Sequence, residues 1–160
     1  MDGKAIMMNT KISDFLAQKR IAVAGVSRNP QTEAANLIYR KLRAAGYEVF
    51  PVNPHAERVE GDRCYPNLKA ISPPVDGVVI ATRPEAAEQL VRECAAIGVS
   101  RVWMHRSFGT GSVSAAATQF CQDNRITVIS GGCPMMFCQP VDFGHKCMSW
   151  ILRLSGGLPK

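Results

Sequence analysis

The sequence predicts an α/β domain, a parallel sheet with helices wound over both of its faces, on three observations. Short unbroken apolar runs rich in Val, Ile and Ala alternate with segments whose apolar residues recur at three- and four-residue spacing. Unbroken runs suit strands buried on both sides, and the wider spacing suits one apolar face of a helix. The connections are short, and no internal repeat or Pro/Gly-rich linker divides the 160 residues, so a single domain over 1–160 is expected.

In chain order, residues 20–26 (RIAVAGV) form the first strand, which ends at Gly25. A helix is expected over 32–45, with Ala34, Leu37, Ile38, Leu42 and Ala45 as its apolar stripe and Gly46 as its stop. Residues 47–52 (YEVFPV) make the second strand; Pro51 has no N–H to give a ladder and is expected at its last ladder position. Residues 55–74 are the least regular, with a short strand near Cys64 and Tyr65 and one helical turn over 68–71. Residues 76–82 (DGVVIAT) are the third strand. Pro84 then opens a helix where its missing N–H is no loss. Ala86, Ala87, Leu90, Val91, Cys94 and Ile97 give that helix its apolar face, and Gly98 ends it. A fourth strand over 101–105 (RVWMH), a weaker helix over 112–124 and a fifth strand over 126–130 (ITVIS) follow. A final helix is expected over 142–154, with Phe143, Cys147, Trp150, Ile151 and Leu154 as its apolar residues. Such strand–helix–strand units with right-handed crossovers give a doubly wound, Rossmann-like parallel sheet of five strands. Both tryptophans, Trp103 and Trp150, are expected inside.

Composition narrows the function classes. An apolar fraction of 46% excludes wholesale disorder. Lys and Arg number 19 against 13 Asp and Glu, a formal +6 that favours anionic partners. The positive charge is spread out: Arg40, Lys41 and Arg43 read as the solvated side of a helix, and no Lys/Arg–aromatic alternation marks a nucleic-acid surface. No apolar stretch approaches the ~18 residues that span a bilayer, and the first twenty residues lack the apolar core of a signal peptide. The expected location is the cytoplasm, with cysteines 64, 94, 121, 133, 138 and 147 as reduced thiols.

In a doubly wound sheet the ligand crevice lies beyond the carboxyl ends of the strands, where strand order reverses. Three segments converge there: Gly25-Val26-Ser27-Arg28-Asn29-Pro30, Val52-Asn53-Pro54 and Ala81-Thr82-Arg83-Pro84. Unpaired N–H groups and positive potential at a helix N-terminus suit a phosphate. Gly25 would let a ligand approach the backbone, Ser27 could donate to a phosphate oxygen, and Arg28 and Arg83 could add charge-assisted bonds. The plainer reading is that Gly25 and Ser27 make a tight turn and cap a helix. The dinucleotide pattern G-x-G-x-x-G is absent, the loop being G-x-S-x-x-P. The second strand also ends without the Asp or Glu that holds an NAD ribose. Those absences point to NADP or to coenzyme A, and leave both open.

Other chemistry has weaker support. Cys133, Cys138, His145 and Cys147 lack the paired C-x-x-C spacing of structural zinc, so packing is the expected role and no metal site is assigned. Cys133 follows Gly131-Gly132 at a strand end beside the crevice, as either a structural or a reactive thiol. His55 and His105 are placed near the crevice without a nucleophile and an orienting carboxylate. Ser27 lacks the trailing Gly of a nucleophile elbow. No catalytic residue is assigned.

The ordered set of segments resembles the small stand-alone CoA-binding proteins, related in fold to the nucleotide-binding domain of the succinyl-CoA synthetase α subunit. The likeness rests on IAVAGVSRNP (21–30), GYEVFPVNP (46–54), DGVVI (76–80), RPEAA (83–87), Gly98 with Val102-Trp103-Met104, and Cys133-Pro134. It covers about residues 13–140 and leaves 141–160 as a helical extension. Residues 105–109 (HRSFG) and Gly131-Gly132 depart from the family pattern. The resemblance implies a module that binds coenzyme A or an acyl-CoA through its ADP moiety, with no established reaction of its own. By that resemblance Gly25, Val26, Ser27 and Arg28 would hold the pyrophosphate, and Val52, Asn53 and Pro54 would flank the adenosine. Ala81, Thr82, Arg83 and Pro84 would form the opposite wall. Arg83 would meet the ribose 3′-phosphate, with Arg28 or Arg106 as substitutes. An NADP-dependent oxidoreductase and a CoA-sensing regulatory subunit are the alternatives; a protein partner or a homo-oligomer stays open.

Overall fold

A computed structural model describes residues 3–29 and 33–155. Its sheet has five parallel strands: β1 (Arg20–Ala24), β2 (Glu48–Val52), β5 (Gly77–Ile80), β6 (Arg101–Met104) and β7 (Thr127–Ser130). They lie in the order β2-β1-β5-β6-β7. A small antiparallel hairpin, β3 (Arg58–Val59) and β4 (Asp62–Arg63), stands apart from that sheet. The helices are α1 (Gly3–Leu16), α2 (Ala34–Ala44), α3 (Pro84–Ile97), α4 (Ala115–Asp123) and α5 (Phe143–Ser155). The fold is the Rossmann-like α/β arrangement, with strand order reversing between β1 and β5.

Strand parity divides the core into two layers. Ile21, Val23, Val79, Trp103 and Ile129 point to the side covered by α1, α2 and α5, while Ala22, Ala24, Val78, Ile80, Val102, Met104 and Val128 point to the side of α3 and α4. Each fully buried Val or Ile contributes roughly 1.5–3 kcal/mol relative to exposure, so two-sided burial explains why these strands read as unbroken apolar runs. Trp103 anchors the first layer, its ring edge-on to Phe15 at 5.5 Å and its indole N–H donating to the Gly131 carbonyl at 3.0 Å.

β2 is an edge strand, which accommodates Pro51. It is the penultimate residue of the strand rather than the last, and its ring faces away from β1, where its carbonyl accepts from the Tyr65 N–H at 2.9 Å. Tyr65 pairs there with Val52 as an isolated bridge. α3 begins at Pro84 and stops at Gly98, whose φ of 78° a side chain would strain.

Three expectations need correction, and one helix is additional. The apolar stripe of α2 is Ala35, Ile38, Tyr39 and Leu42 with Asn36, while Leu37 and Ala45 face solvent. The helix start expected at Thr32 lies outside the described residues. The helix's cations are not simply solvated: Arg40 pairs with Glu60 at 2.8 Å, Arg43 meets Asp62, and Lys41 donates to the Pro140 carbonyl, tying α2 to its neighbours. Trp150 is exposed, because α5 turns its apolar stripe outward. α1 went unread although Met8, Ile12 and Phe15 recur at helical spacing and are buried.

Candidate ligand site at the switch point

Where strand order reverses, the chain leaves β1 at Gly25 and β5 at Ala81, and the two turns touch. Gly25 has φ 101°, and a Cβ there would lie 2.4 Å from the Ala81 carbonyl oxygen. The bare backbone is needed for two loops to meet, before any ligand arrives. Gly25 N–H donates to the Val52 carbonyl and Ala81 N–H to that of Ala24, each at 3.0 Å. These bonds hold all three predicted segments in one rim.

The rim opens into two adjoining lobes. The larger, about 840 Å³, is lined by Gly25, Ala81, Thr82, Arg83 and Pro84 together with Glu33, Glu85, Ala86, His105, Gly111 and Ser112. The smaller, about 370 Å³, is lined by Gly25, Val52, Asn53, Pro54 and Thr82 together with Ala24, Pro66, Asn67, Ala86, Gln89, Leu90 and Glu93. Both volumes suit small ligands. The smaller lobe combines Val52, Pro54, Pro66 and Leu90 with Asn53, Asn67 and Gln89, of which the Asn53 and Asn67 side-chain oxygens already accept from the His55 and Ala70 N–H groups.

Val26, Ser27, Arg28 and Arg106 line neither lobe. Val26 is buried in the core. Ser27 makes a turn, its hydroxyl accepting from the Asn29 N–H at 3.0 Å, and it caps no helix. Its backbone N–H and C=O are both held by the Asn36 amide at 2.8 Å. Arg28 is exposed on the turn. Arg106 bridges to Gly132 and lays its guanidinium over Gly131, where a Cβ would come within 3.1 Å of it. Pro30 lies outside the described residues. Asn53 fastens the rim, donating to the Val26 carbonyl at 2.9 Å and accepting from the His55 N–H at 2.8 Å.

Two helix N-termini open on the larger lobe. Glu33 precedes α2 and Arg83 precedes α3, both line the lobe, and neither side chain caps its helix. Positive dipole ends therefore face this space, while α3 itself offers few donors, because Pro84 has no N–H and the Ala86 and Ala87 N–H groups bond the Arg83 carbonyl. The sequence signalled α3 through Pro84, but Glu33 and the far wall at Gly111 and Ser112 carried no motif. Ser112 closes that wall by donating to the Thr82 carbonyl at 2.6 Å.

His105 is the buried titratable group of the lobe. Burial first, and then nearby His145, hold its imidazole down to about 4, so it is neutral at pH 7. Its Nε2 lies 3.1 Å from the Ser107 hydroxyl, and among the described residues no carboxylate hydrogen-bonds to it. Since the folded pKa lies below the ordinary 6.5, the unfolded chain binds more protons between those values. Stability should fall as pH drops from about 6.5 towards 4, and His105→Gln should flatten that part of the profile. Urea denaturation across the range tests this; an unchanged slope in the variant would contradict it.

Cys133 is buried behind the rim, and burial pushes its thiol up to about 11, which leaves it protonated and inert at neutral pH. His55 lines a separate groove with Arg63 and Cys64. Among the described residues, no three His, Cys, Asp or Glu side chains are grouped to hold a metal ion.

Fold and rim define a doubly wound module with an open crevice at its switch point. Residues 19–139 match the family model described as CoA binding domain, and the chain belongs to that family. It is 30% identical over 115 residues to the uncharacterized protein YneT of Bacillus subtilis, covering 72% of this chain and 82% of that one. It is also 30% identical over 90 residues to acetate–CoA ligase (ADP-forming) II of Archaeoglobus fulgidus, covering 55% of this chain but only 13% of the ligase. Among solved structures, a hypothetical protein of Pyrococcus horikoshii OT3 superposes with a TM-score of 0.73 at 26% identity, covering 79% and 87% of the two chains.

Proposed function

We propose that residues 1–160 act as one unit that binds coenzyme A or an acyl-CoA through the ADP moiety, in the cytoplasm, without turning it over. The observation that carries this reading is the opening of two uncapped helix N-termini on one lobe of the crevice, in a chain of the CoA binding domain family. The pyrophosphate belongs at those helix ends, and the adenine belongs in the smaller lobe. Arg83 is the one cationic side chain lining either lobe among the described residues, which supports it as the contact for the ribose 3′-phosphate. Arg28 and Arg106 stand outside the lobes as the alternatives. Glu33 and Glu85 beside Arg83 reduce the local charge, so the helix ends rather than a cationic pocket must supply most of the anion binding.

The non-catalytic part of the reading rests on His105. An imidazole held near 4 is a poor general base at neutral pH, and among the described residues no carboxylate orients it towards Ser107. The cytoplasmic placement is supported by six free cysteines, five of them buried.

Thermal shift tests the ligand. A ligand at one hundred times its Kd stabilises by about 2.7 kcal/mol. Coenzyme A should raise the Tm, dephospho-CoA should raise it less, and Arg83→Ala should erase that difference. A persistent difference would transfer the phosphate contact to Arg28 or Arg106. Equal or larger shifts with NADPH would reject coenzyme A as the preferred ligand.

A further inference from the structure

The smaller lobe runs along α3. Ala86, Gln89, Leu90 and Glu93 line it at helical spacing, so its wall starts beside Thr82 at the rim and ends at Glu93. From Ala86 to Glu93 that wall is about 10 Å long at ~1.5 Å per residue. Two polar side chains stand together at the far end. Glu93 Oε2 accepts from the Leu68 N–H at 3.1 Å. Asn67, the residue before Leu68, accepts from the Ala70 N–H at 3.0 Å with its Oδ1. Both side chains line the lobe. Glu93 Oε1 and Asn67 Nδ2 have no protein partner among the described residues, and no Lys or Arg there pairs with Glu93. We propose that this pair reads the edge of the ligand's base, Glu93 accepting from an exocyclic amino group and Asn67 donating to the ring nitrogen beside it. Such selection rests on the coenzyme A reading above and supplies the residues that choose adenine within it.

The free atoms set the order of donor and acceptor. A carboxylate only accepts, and an Asn whose oxygen is engaged has only its N–H groups left to offer. The end of the lobe therefore presents an acceptor next to a donor, and its complement is a base with a donor next to an acceptor. Adenine has that order, its amino group lying between acceptor ring nitrogens. A 6-oxo purine reverses it, setting a carbonyl oxygen against the Glu93 carboxylate. Direction agrees with chemistry. The ribose leaves a purine on the side away from the amino group, so a sugar at the rim points the amino edge down the lobe towards Glu93. Gln89 lines the same wall, but an amide that can turn to give or to accept does not choose between the two bases. Glu93 is half-buried and Asn67 exposed, so water competes for both, and the discrimination is smaller than in a fully buried site.

Isothermal titration of the full chain with coenzyme A and with its hypoxanthine analogue tests the assignment, since the two differ only in carrying an amino or an oxo group at position 6 and a proton at N1. The parent should bind coenzyme A about tenfold more tightly, the worth of one hydrogen bond to a charged group. Glu93→Gln should remove that preference or reverse it. Its oxygen can keep the Leu68 bond, which turns the amide N–H groups into the lobe to donate to the 6-oxo group. The melting temperature of the unliganded variant should match the parent's, so a change in the ratio reports the base and not the fold. Equal affinity of the parent for the two ligands overturns the proposal and leaves the coenzyme A reading standing. So does a ratio that Glu93→Gln leaves unchanged. A parent that binds neither ligand rejects the coenzyme A reading, and the base selection with it.

Discussion

Valine at position 25 is expected to destabilise the protein by about 3–5 kcal/mol and to remove the coenzyme A-induced thermal shift. Two separate penalties combine there. The backbone sits at φ 101°, where L side chains are strained and β-branched ones most of all. The new Cβ would also lie 2.4 Å from the Ala81 carbonyl oxygen, an atom fixed at the end of a central strand. Relief would require the β1 and β5 loops to separate, and those loops form the wall shared by both lobes. Gly25→Ala carries the same penalties without the branching and should cost about 2–4 kcal/mol. Urea denaturation with thermal shift measures both effects. Stability within about 0.5 kcal/mol of the parent would show that the turn relaxes freely and that Gly25 does not set the rim.

That result bears on what sequence alone could reveal. Gly25 was legible as an exceptional position, but its reason was not: a ligand approaching the backbone and a carbonyl approaching it leave the same glycine. The parallel strands were legible because burial on both faces removes polar residues, as RIAVA and GVVI show. α3 was legible because Pro84 and Gly98 carry their conformations in their own covalent chemistry. Of the plainer reading of Ser27, the turn holds and the helix cap does not, because what occupies its backbone is tertiary: the Asn36 amide lies nine residues onward in a helix whose apolar stripe seemed complete without it. α5 was read as an apolar helix correctly, yet periodicity reports only that a stripe exists, not whether its own molecule covers it. The hairpin was missed because Arg58-Val59 and Asp62-Arg63 are too short and too polar to alternate; its turn at Glu60-Gly61 is formed by two residues of positive φ, 51° and 81°.

The same hairpin explains the second large effect, expected from Asn36→Leu. Asn36 is fully buried in α2 and uses its whole amide. Its Oδ1 accepts from the Ser27 N–H, and its Nδ2 donates to the Ser27 carbonyl and to Glu60 Oε1, all at 2.8 Å. Glu60 also meets Arg40 at 2.8 Å, with a side chain only 9% exposed. Leucine keeps the branching and the heavy-atom count but leaves two backbone groups and one lobe of a buried carboxylate without their partner, a loss of about 3–5 kcal/mol. If the turn at Ser27 is held in place by this bridge, coenzyme A affinity should fall at least tenfold, although Asn36 lines neither lobe. Glu60→Gln separates the roles: it keeps an acceptor for Asn36, loses the charge facing Arg40, and should cost about 1 kcal/mol with affinity nearly intact. Asn36→Leu with full stability would mean that water replaces the amide. Lost stability with unchanged affinity would mean that the turn at Ser27 is held by β1 and β5 alone, and that the ligand reads the rim without the hairpin's help.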